Sequence, residues 1–145
     1  MPDEVLSGVL VAARPELVDV IFFEASAKRL DVATEPEPME IPIVAEVGQP
    51  EDNSEIMVRI KVDFSGHQAE FRVDVAARYR LEEPTLFTDP ERISFAESGP
   101  MMTLLPFVRE ALMSGAMRLR VDVPVIPLMR GRVPLQGRAE SAEQS

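Results

Sequence analysis

The sequence predicts an α+β domain with an antiparallel sheet that has one face in solvent and one face covered. The first observation is a hairpin at residues 55–64 and 69–81, where apolar and polar residues alternate on both sides of the turn "SGHQ". The second is an amphipathic segment at 103–115, whose apolar residues recur at helical spacing. Because alternation is typical of a half-buried antiparallel sheet, the helix is expected to belong to a separate layer.

Two further strands are predicted before the hairpin, which gives four in total. Within 17–28 the alternation predicts two faces, one with Ile21, Phe23 and Ala25 and the other with Phe22, Glu24, Ser26 and Lys28. Residues 40–47 are apolar and β-branched. Since Pro42 has no N–H to donate to a neighbouring strand, this segment is expected to be an edge or irregular strand.

Two helices are predicted after the sheet. The segment "DPERISFAE" has the composition of a short helix with Asp89 as its N-cap. For the helix at 103–115, Thr103 is the expected cap and Gly115 the expected terminator. Pro106 then falls in the first turn, where a backbone N–H has no intrahelical partner, so the missing donor costs little.

Composition excludes several classes of protein. The chain has 145 residues and a formal net charge of −10, which argues against a nucleic-acid binder and against docking on anionic membranes. It has no cysteine, and it lacks both an apolar run long enough to span a membrane and the pattern of a secretory signal. We therefore expect one cytoplasmic domain at 1–136, followed by a disordered tail at 137–145.

The chemistry expected of an enzyme is missing from the sequence. The one histidine, His67, lies in a turn, and without cysteine a transition-metal site has almost no ligands. There is no glycine-rich phosphate loop and no nucleophile elbow. We expect no catalytic residue, no metal and no cofactor. An enzyme would require a buried titratable pair in a cleft around Glu82, Glu83 or Asp89.

Several motifs together resemble the SecB family of bacterial protein-export chaperones. They are "VIFFEAS" at 20–26, "GP" at 99–100, "LLPFVRE" at 104–110 and "PVIPL" at 124–128, and the resemblance covers residues 17–128. It implies a four-stranded antiparallel sheet with helices packed on one face. It also implies a homotetramer, a dimer of dimers that pair through the helix layer, with Phe107, Leu112 and Met113 at the oligomer interface.

The resemblance also implies a function. Members of this family are holdases that bind unfolded, unexported polypeptides in a long hydrophobic groove and pass them to the translocase motor SecA. Carried over position by position, the implied client-binding residues of the second strand and the C-terminal segment are Ile41, Ile43, Ala45, Leu128 and Met129.

The implied docking surface for SecA is the solvated face of the sheet, where Glu24 and Asp74 match acidic positions of the family. Val20 stands where the family tends to have an acid, and Arg72 where it tends to have an apolar residue. Two alternatives to export therefore stay open. One is a dedicated chaperone of a toxin–antitoxin system, which shields a C-terminal extension of the antitoxin. The other is an oligomeric adaptor of the same fold without holdase activity.

Overall fold

The computed structural model describes residues 13–30, 41–66 and 68–124. These residues form one four-stranded antiparallel sheet with two helices on one face, which confirms the predicted α+β class. The strands are β1 (Glu16–Arg29), β2 (Ile43–Gly48), β3 (Glu55–Ser65) and β4 (Ala69–Arg80), and the helices are α1 (Asp89–Ser98) and α2 (Pro100–Leu119). The strand order is β1-β4-β3-β2, so β1 and β2 form the two edges.

The β3–β4 hairpin forms the centre of the sheet, as predicted. Glu55 pairs with Arg80 at one end and Phe64 with Phe71 near the turn, and the two phenylalanine rings stack with centroids 5.4 Å apart. Alternate residues of both strands are buried on the face that packs against the helices, here called the inner face: Ile56, Val58, Ile60, Val62, Phe64, Phe71, Val73, Val75 and Ala77. The period-2 pattern therefore placed these side chains correctly.

Strand β1 departs from simple alternation because it contains two β-bulges. Phe22 pairs with Val75 and Glu24 with Asp74, so Phe23 is an extra residue without a partner on β4. A second shift occurs at Val18. An extra residue reverses the faces of everything beyond it. The predicted division of this strand is therefore wrong, because Phe22 and Ala25 share the inner face.

Helix α1 begins one residue earlier than predicted. Its N-cap is Thr88 rather than Asp89. The Thr88 hydroxyl accepts a hydrogen bond from the backbone N–H of Glu91, at 3.4 Å, and the Glu91 carboxylate accepts one from the backbone N–H of Thr88, at 2.7 Å. This reciprocal capping box satisfies two N–H groups that the helix itself cannot.

Helix α2 is longer than the predicted 103–115 at both ends. It begins at Pro100 after the N-cap Gly99 and ends at Leu119, followed by the C-cap Arg120, which adopts the left-handed conformation with φ 58°. Pro106 therefore lies beyond the first turn, contrary to the prediction. The helix tolerates it because Pro106 and Met102, whose carbonyl loses its intrahelical partner, are both exposed to water.

Gly115 does not end the helix; it is buried in its interior. A Cβ placed on this residue would lie 2.8 Å from the Cβ of Ala27 in β1. The glycine therefore allows α2 to approach the edge strand more closely than any other residue would permit. This contact fixes the helix over the β1 side of the sheet.

The core lies between the inner face and the helices. From α2 it receives Leu104, Leu105, Val108 and Leu112, and from the connection before α1 it receives Phe87. No helix in the described ranges is long and apolar enough to cross a membrane. The predicted tail at 137–145 lies outside the described residues.

Candidate functional site

Exposed apolar side chains are concentrated on β1 and α2. Of the large exposed ones in the described residues, these two elements carry Leu17, Val18, Phe22, Phe23, Met102, Phe107, Met113 and Met117. The Phe22 and Phe107 rings meet edge to face with centroids 6.3 Å apart, so they join the strand and the helix into one surface. In a chain with so many charges, exposed apolar side chains concentrated on two neighbouring elements indicate an interaction site.

The outward side of α2 bears two of the three predicted interface residues. Phe107 is 40% exposed and Met113 is 49% exposed, so both are available to a partner. Leu112 is 1% exposed and packs in the core of its own protomer. The interface role predicted for Leu112 is therefore corrected. It lies on the inward stripe of the helix, which the amphipathic pattern alone should have indicated.

Next to the aromatic pair, β1 and α2 enclose a cleft of 430 Å³. Its floor is made of small residues, among them Ala27 and Gly115, because the close approach at Gly115 leaves no room for larger ones. Its rim includes Glu110, Ser114 and Arg118. The Ser114 hydroxyl donates to the Glu110 carboxylate at 3.0 Å. The cleft therefore offers a small apolar floor between side chains of opposite charge.

The predicted client-binding residues of the second strand are divided between core and surface. Ala45 is 0% exposed and faces the helices as part of the core, so the structure corrects its predicted contact with a client. Ile41 and Ile43 are half-buried and pack against the core while keeping part of their surface in solvent. Leu128 and Met129 lie outside the described residues, and their predicted role has no structural description.

A buried glutamine holds the end of β2, and the sequence analysis missed it. The Gln49 amide donates to the carbonyl of Thr85 at 2.7 Å, and its oxygen accepts from the backbone N–H of Phe87 at 2.9 Å. Its exposure is 2%. A single polar residue after an apolar run gave no sequence signal of burial. These bonds fix the loop before α1 against the β2 edge.

On the outer face of the sheet, opposite the helices, acidic and basic side chains neutralise each other. Arg59 makes a bidentate ion pair with Asp74, with N–O distances of 2.7 and 2.8 Å. This hydrogen bond raises the pKa of the Arg59 guanidinium. Further pairs on this face are Lys61–Glu46 at 3.0 Å, Arg78–Asp19 at 3.3 Å and Arg72–Asp63 at 3.6 Å.

The two residues predicted to dock SecA therefore differ. Asp74 is committed to Arg59, whereas Glu24 is exposed and accepts only a 3.3 Å hydrogen bond from the Ser26 hydroxyl within the described residues. The Arg59 guanidinium also lies 4.1 Å from the ring centroid of Phe23, the bulge residue of β1. The positive charge of Arg59 therefore neutralises much of the negative potential that Asp74 would provide.

The carboxylates that an enzyme would have required are not a buried pair. Glu82, Glu83 and Asp89 are all exposed, and Glu82 forms an exposed ion pair with Arg14 at 3.5 Å. Within the described ranges, no three potential ligands are grouped in a way that could hold a metal ion. The geometry around these loops therefore gives no support to a catalytic role.

Known proteins of similar sequence and fold are chaperones. The chain is 31% identical over 133 residues to the SecB-like chaperone SmegB of Mycolicibacterium smegmatis, a match that covers 91% of this chain and 88% of the relative. Its fold is similar to that of a SecB-like chaperone of Mycobacterium tuberculosis, solved in complex with a ChAD peptide from the HigA1 antitoxin. That match has a TM-score of 0.66 and 17% identity, and it covers 88% of this chain and 95% of that one. No family model matches the chain.

Proposed function

The chain belongs to the SecB-like chaperones, and from this we propose that it is a holdase that binds unfolded polypeptide segments through apolar contacts. The observation that carries the proposal is the apolar surface left in solvent at the β2 edge, where Ile41 and Ile43 are half-buried, in a chain with net charge −10. Such a surface needs adaptable side chains rather than a shaped pocket, because unfolded clients share no sequence. The charge keeps the chaperone itself soluble.

We place the client at the β2 edge. Ile41 and Ile43 present half-buried apolar surface there. Among the described residues, β2 is an edge strand that pairs only with β3, so its other edge faces no strand. An extended client can add its backbone to such an edge while its alternate side chains contact the isoleucines. The proposed contribution of Leu128 and Met129 extends this surface beyond the described residues.

We place self-association on the opposite side of the molecule, on β1 and α2. Phe107 and Met113 are exposed there, together with the edge of β1. Strand β1 has Glu16 at its start and Arg29 at its end, so two copies paired antiparallel would bring opposite charges together. A tetramer built as a dimer of dimers would cover both the strand edge and the helix face.

Between the two proposed uses of the holdase, the outer face favours a dedicated client over general export. A docking surface for a motor requires free carboxylates, and the bidentate bond to Arg59 neutralises Asp74. The structural neighbour bound to an antitoxin peptide supports a client of that class. We propose that the client is the aggregation-prone C-terminal segment of an antitoxin.

The test is an aggregation-suppression assay combined with light scattering, on the full chain, with two clients. One is an unfolded, export-competent precursor, and the other is an antitoxin whose C-terminal extension is present or deleted. We expect suppression and a stable complex that require the extension. Suppression of the precursor alone would favour export, and no suppression of either client at saturating chaperone would leave the adaptor role.

A further inference from the structure

Helix α2 carries three exposed methionines and one buried methionine. Met102, Met113 and Met117 are 50%, 49% and 68% exposed, whereas Met101 is 6% exposed. With 3.6 residues per turn, the three exposed positions fall within about 60° of arc on the outward side of the helix. Pro106 lies in the same arc and is also exposed.

Methionine is the only sulfur-containing residue in this chain. The chain has no cysteine, so the thioether of methionine is its only oxidisable sulfur group. In the reaction with hydrogen peroxide, the sulfur lone pair attacks one oxygen, an S–O bond forms and the O–O bond breaks. The departing hydroxide takes the proton of the oxygen now bound to sulfur and leaves as water. Sulfur loses two electrons to the peroxide, and dedicated reductases reverse the change with electrons from thiols.

We propose that Met102, Met113 and Met117 form a reversible peroxide-oxidation site that converts the outward side of α2 from apolar to polar. Each sulfoxide adds a strong hydrogen-bond acceptor to a thioether that packed as a hydrocarbon. An apolar contact that buried these oxygens without donors would become unfavourable. The oxidised face therefore resists being covered.

This site is coupled to self-association, a step that rests on the proposed function. If α2 packs against another copy through the side that carries Met113, assembly also covers Met102 and Met117, because the three lie on one arc of the helix. Assembly then protects the methionines, and oxidation of free protomers removes them from the assembly equilibrium. Oxidation would slow as protein concentration rises, which an isolated exposed methionine would not show.

The experiment treats the full chain with hydrogen peroxide in large excess over its methionines and follows each methionine over time by peptide mass spectrometry. We expect Met102, Met113 and Met117 to gain one oxygen at least about tenfold faster than Met101. Higher protein concentration should slow these three and leave Met57, half-buried on the outer face of β3, unaffected. Light scattering should show a lower solution mass after oxidation, restored by methionine sulfoxide reductases.

The matched control is the triple variant Met102→Leu, Met113→Leu and Met117→Leu, which keeps the apolar face and removes its sulfur. Its solution mass should be unchanged by peroxide. Oxidation of Met101 as fast as the other three would overturn the site, and so would a peroxide-induced loss of mass in the triple variant. A chain that is monomeric at every concentration, yet oxidised selectively at the three methionines, would uphold the site and refute the α2 assembly.

Discussion

Tyr79 is the only tyrosine of the chain, and it reports on the packing of the helices against the sheet. Its ring meets Phe95 of α1 edge to face, with centroids 5.1 Å apart. Burial raises the pKa of the Tyr79 hydroxyl above its ordinary value of 10.0, against an opposing hydrogen bond with Thr103. Because the chain has no tryptophan and no other tyrosine, a pH-dependent change in its near-ultraviolet absorbance comes from Tyr79 alone.

A spectroscopic pH titration should therefore give a single tyrosinate transition with a pKa above that of the unfolded chain. A neutral group with a raised folded pKa contributes stability that is fully present below the unfolded pKa and is lost as pH rises through the folded pKa. Urea unfolding of wild type and Tyr79→Phe across this range isolates the contribution. If both proteins lose stability equally, burial does not affect this hydroxyl.

Gly115 of α2 lies in close contact with β1 and has no space for a side chain. In most helices a Gly→Ala change is stabilising, but here the new Cβ would lie 2.8 Å from the Cβ of Ala27. We expect Gly115→Ala to lower the free energy of unfolding by about 1–3 kcal/mol through overpacking.

The compensating variant Gly115→Ala with Ala27→Gly tests the cause of that loss. Removing the opposing Cβ should recover stability relative to the sum of the two single changes, as measured in a double-mutant cycle by denaturant unfolding. Additive losses would mean that the contact with Ala27 is not what limits the site.

The loop that connects β4 to α1 depends on Gln49. This residue lies outside the loop, at the end of β2, and binds Thr85 and Phe87. The capping box at Thr88 then starts α1 directly after the loop. One buried amide therefore connects the edge strand to the helix layer.

We expect Gln49→Leu to destabilise the protein by about 1–3 kcal/mol, because the N–H of Phe87 loses its acceptor in a buried site. The control is Gln68→Leu. Gln68 accepts a 3.3 Å hydrogen bond from the backbone N–H of Asp122 in an exposed setting, and its loss should stay within about 0.5 kcal/mol. Thermal unfolding of both variants separates the two cases, and equal losses would contradict the role of Gln49.

Elements with a strong local sequence pattern were predictable, and features that depend on contacts between distant parts of the chain were not. The hairpin of β3 and β4 follows from alternation alone. The bulge at Phe23 does not, because it arises in the pairing of β1 with β4, and that pairing gives no periodic signal in the sequence. The same holds for the ends of α2, since Thr103, the predicted cap, and Gly115, the predicted terminator, both lie inside the helix.

For the candidate site, the resemblance named surfaces but did not say which of their residues are exposed. The resemblance pointed to the second strand and the long helix. Ala45 and Leu112 are core residues there, because position in a motif does not say which way a side chain faces. Ion pairing on the outer face was equally hidden, since Arg59 and Asp74 are distant in sequence and meet only through the strand register.

At the scale of the whole molecule, the two faces of β2 allow the proposed client edge to be tested. Ile43 pairs with Val62 on the inner face, and Val44 pairs with Lys61 on the outer face. Both are half-buried on the same short strand. A carboxylate can therefore be introduced on the inner face in one variant and on the outer face in another, at the same proposed client edge.

We expect Ile43→Asp to weaken client binding at least about tenfold while the chain stays folded, because it puts a carboxylate in the proposed apolar contact. Val44→Asp should leave the affinity within about twofold. Fluorescence anisotropy with a labelled client peptide gives the affinities, and circular dichroism checks the fold. An unfolded Ile43→Asp protein would make Ile43 a core residue, and equal affinities would move the client elsewhere.

The strand order also sets the sequence of events during synthesis. Of the four strands, β1 is synthesised first, yet its partner is β4, the last strand of the sheet. While β2 and β3 are made, the apolar residues of β1 have no strand to pair with. Contacts so distant in the chain close slowly, after local hairpins have formed. The chain that we propose to shield unfolded segments of other proteins therefore has an unpaired apolar strand of its own while it is synthesised.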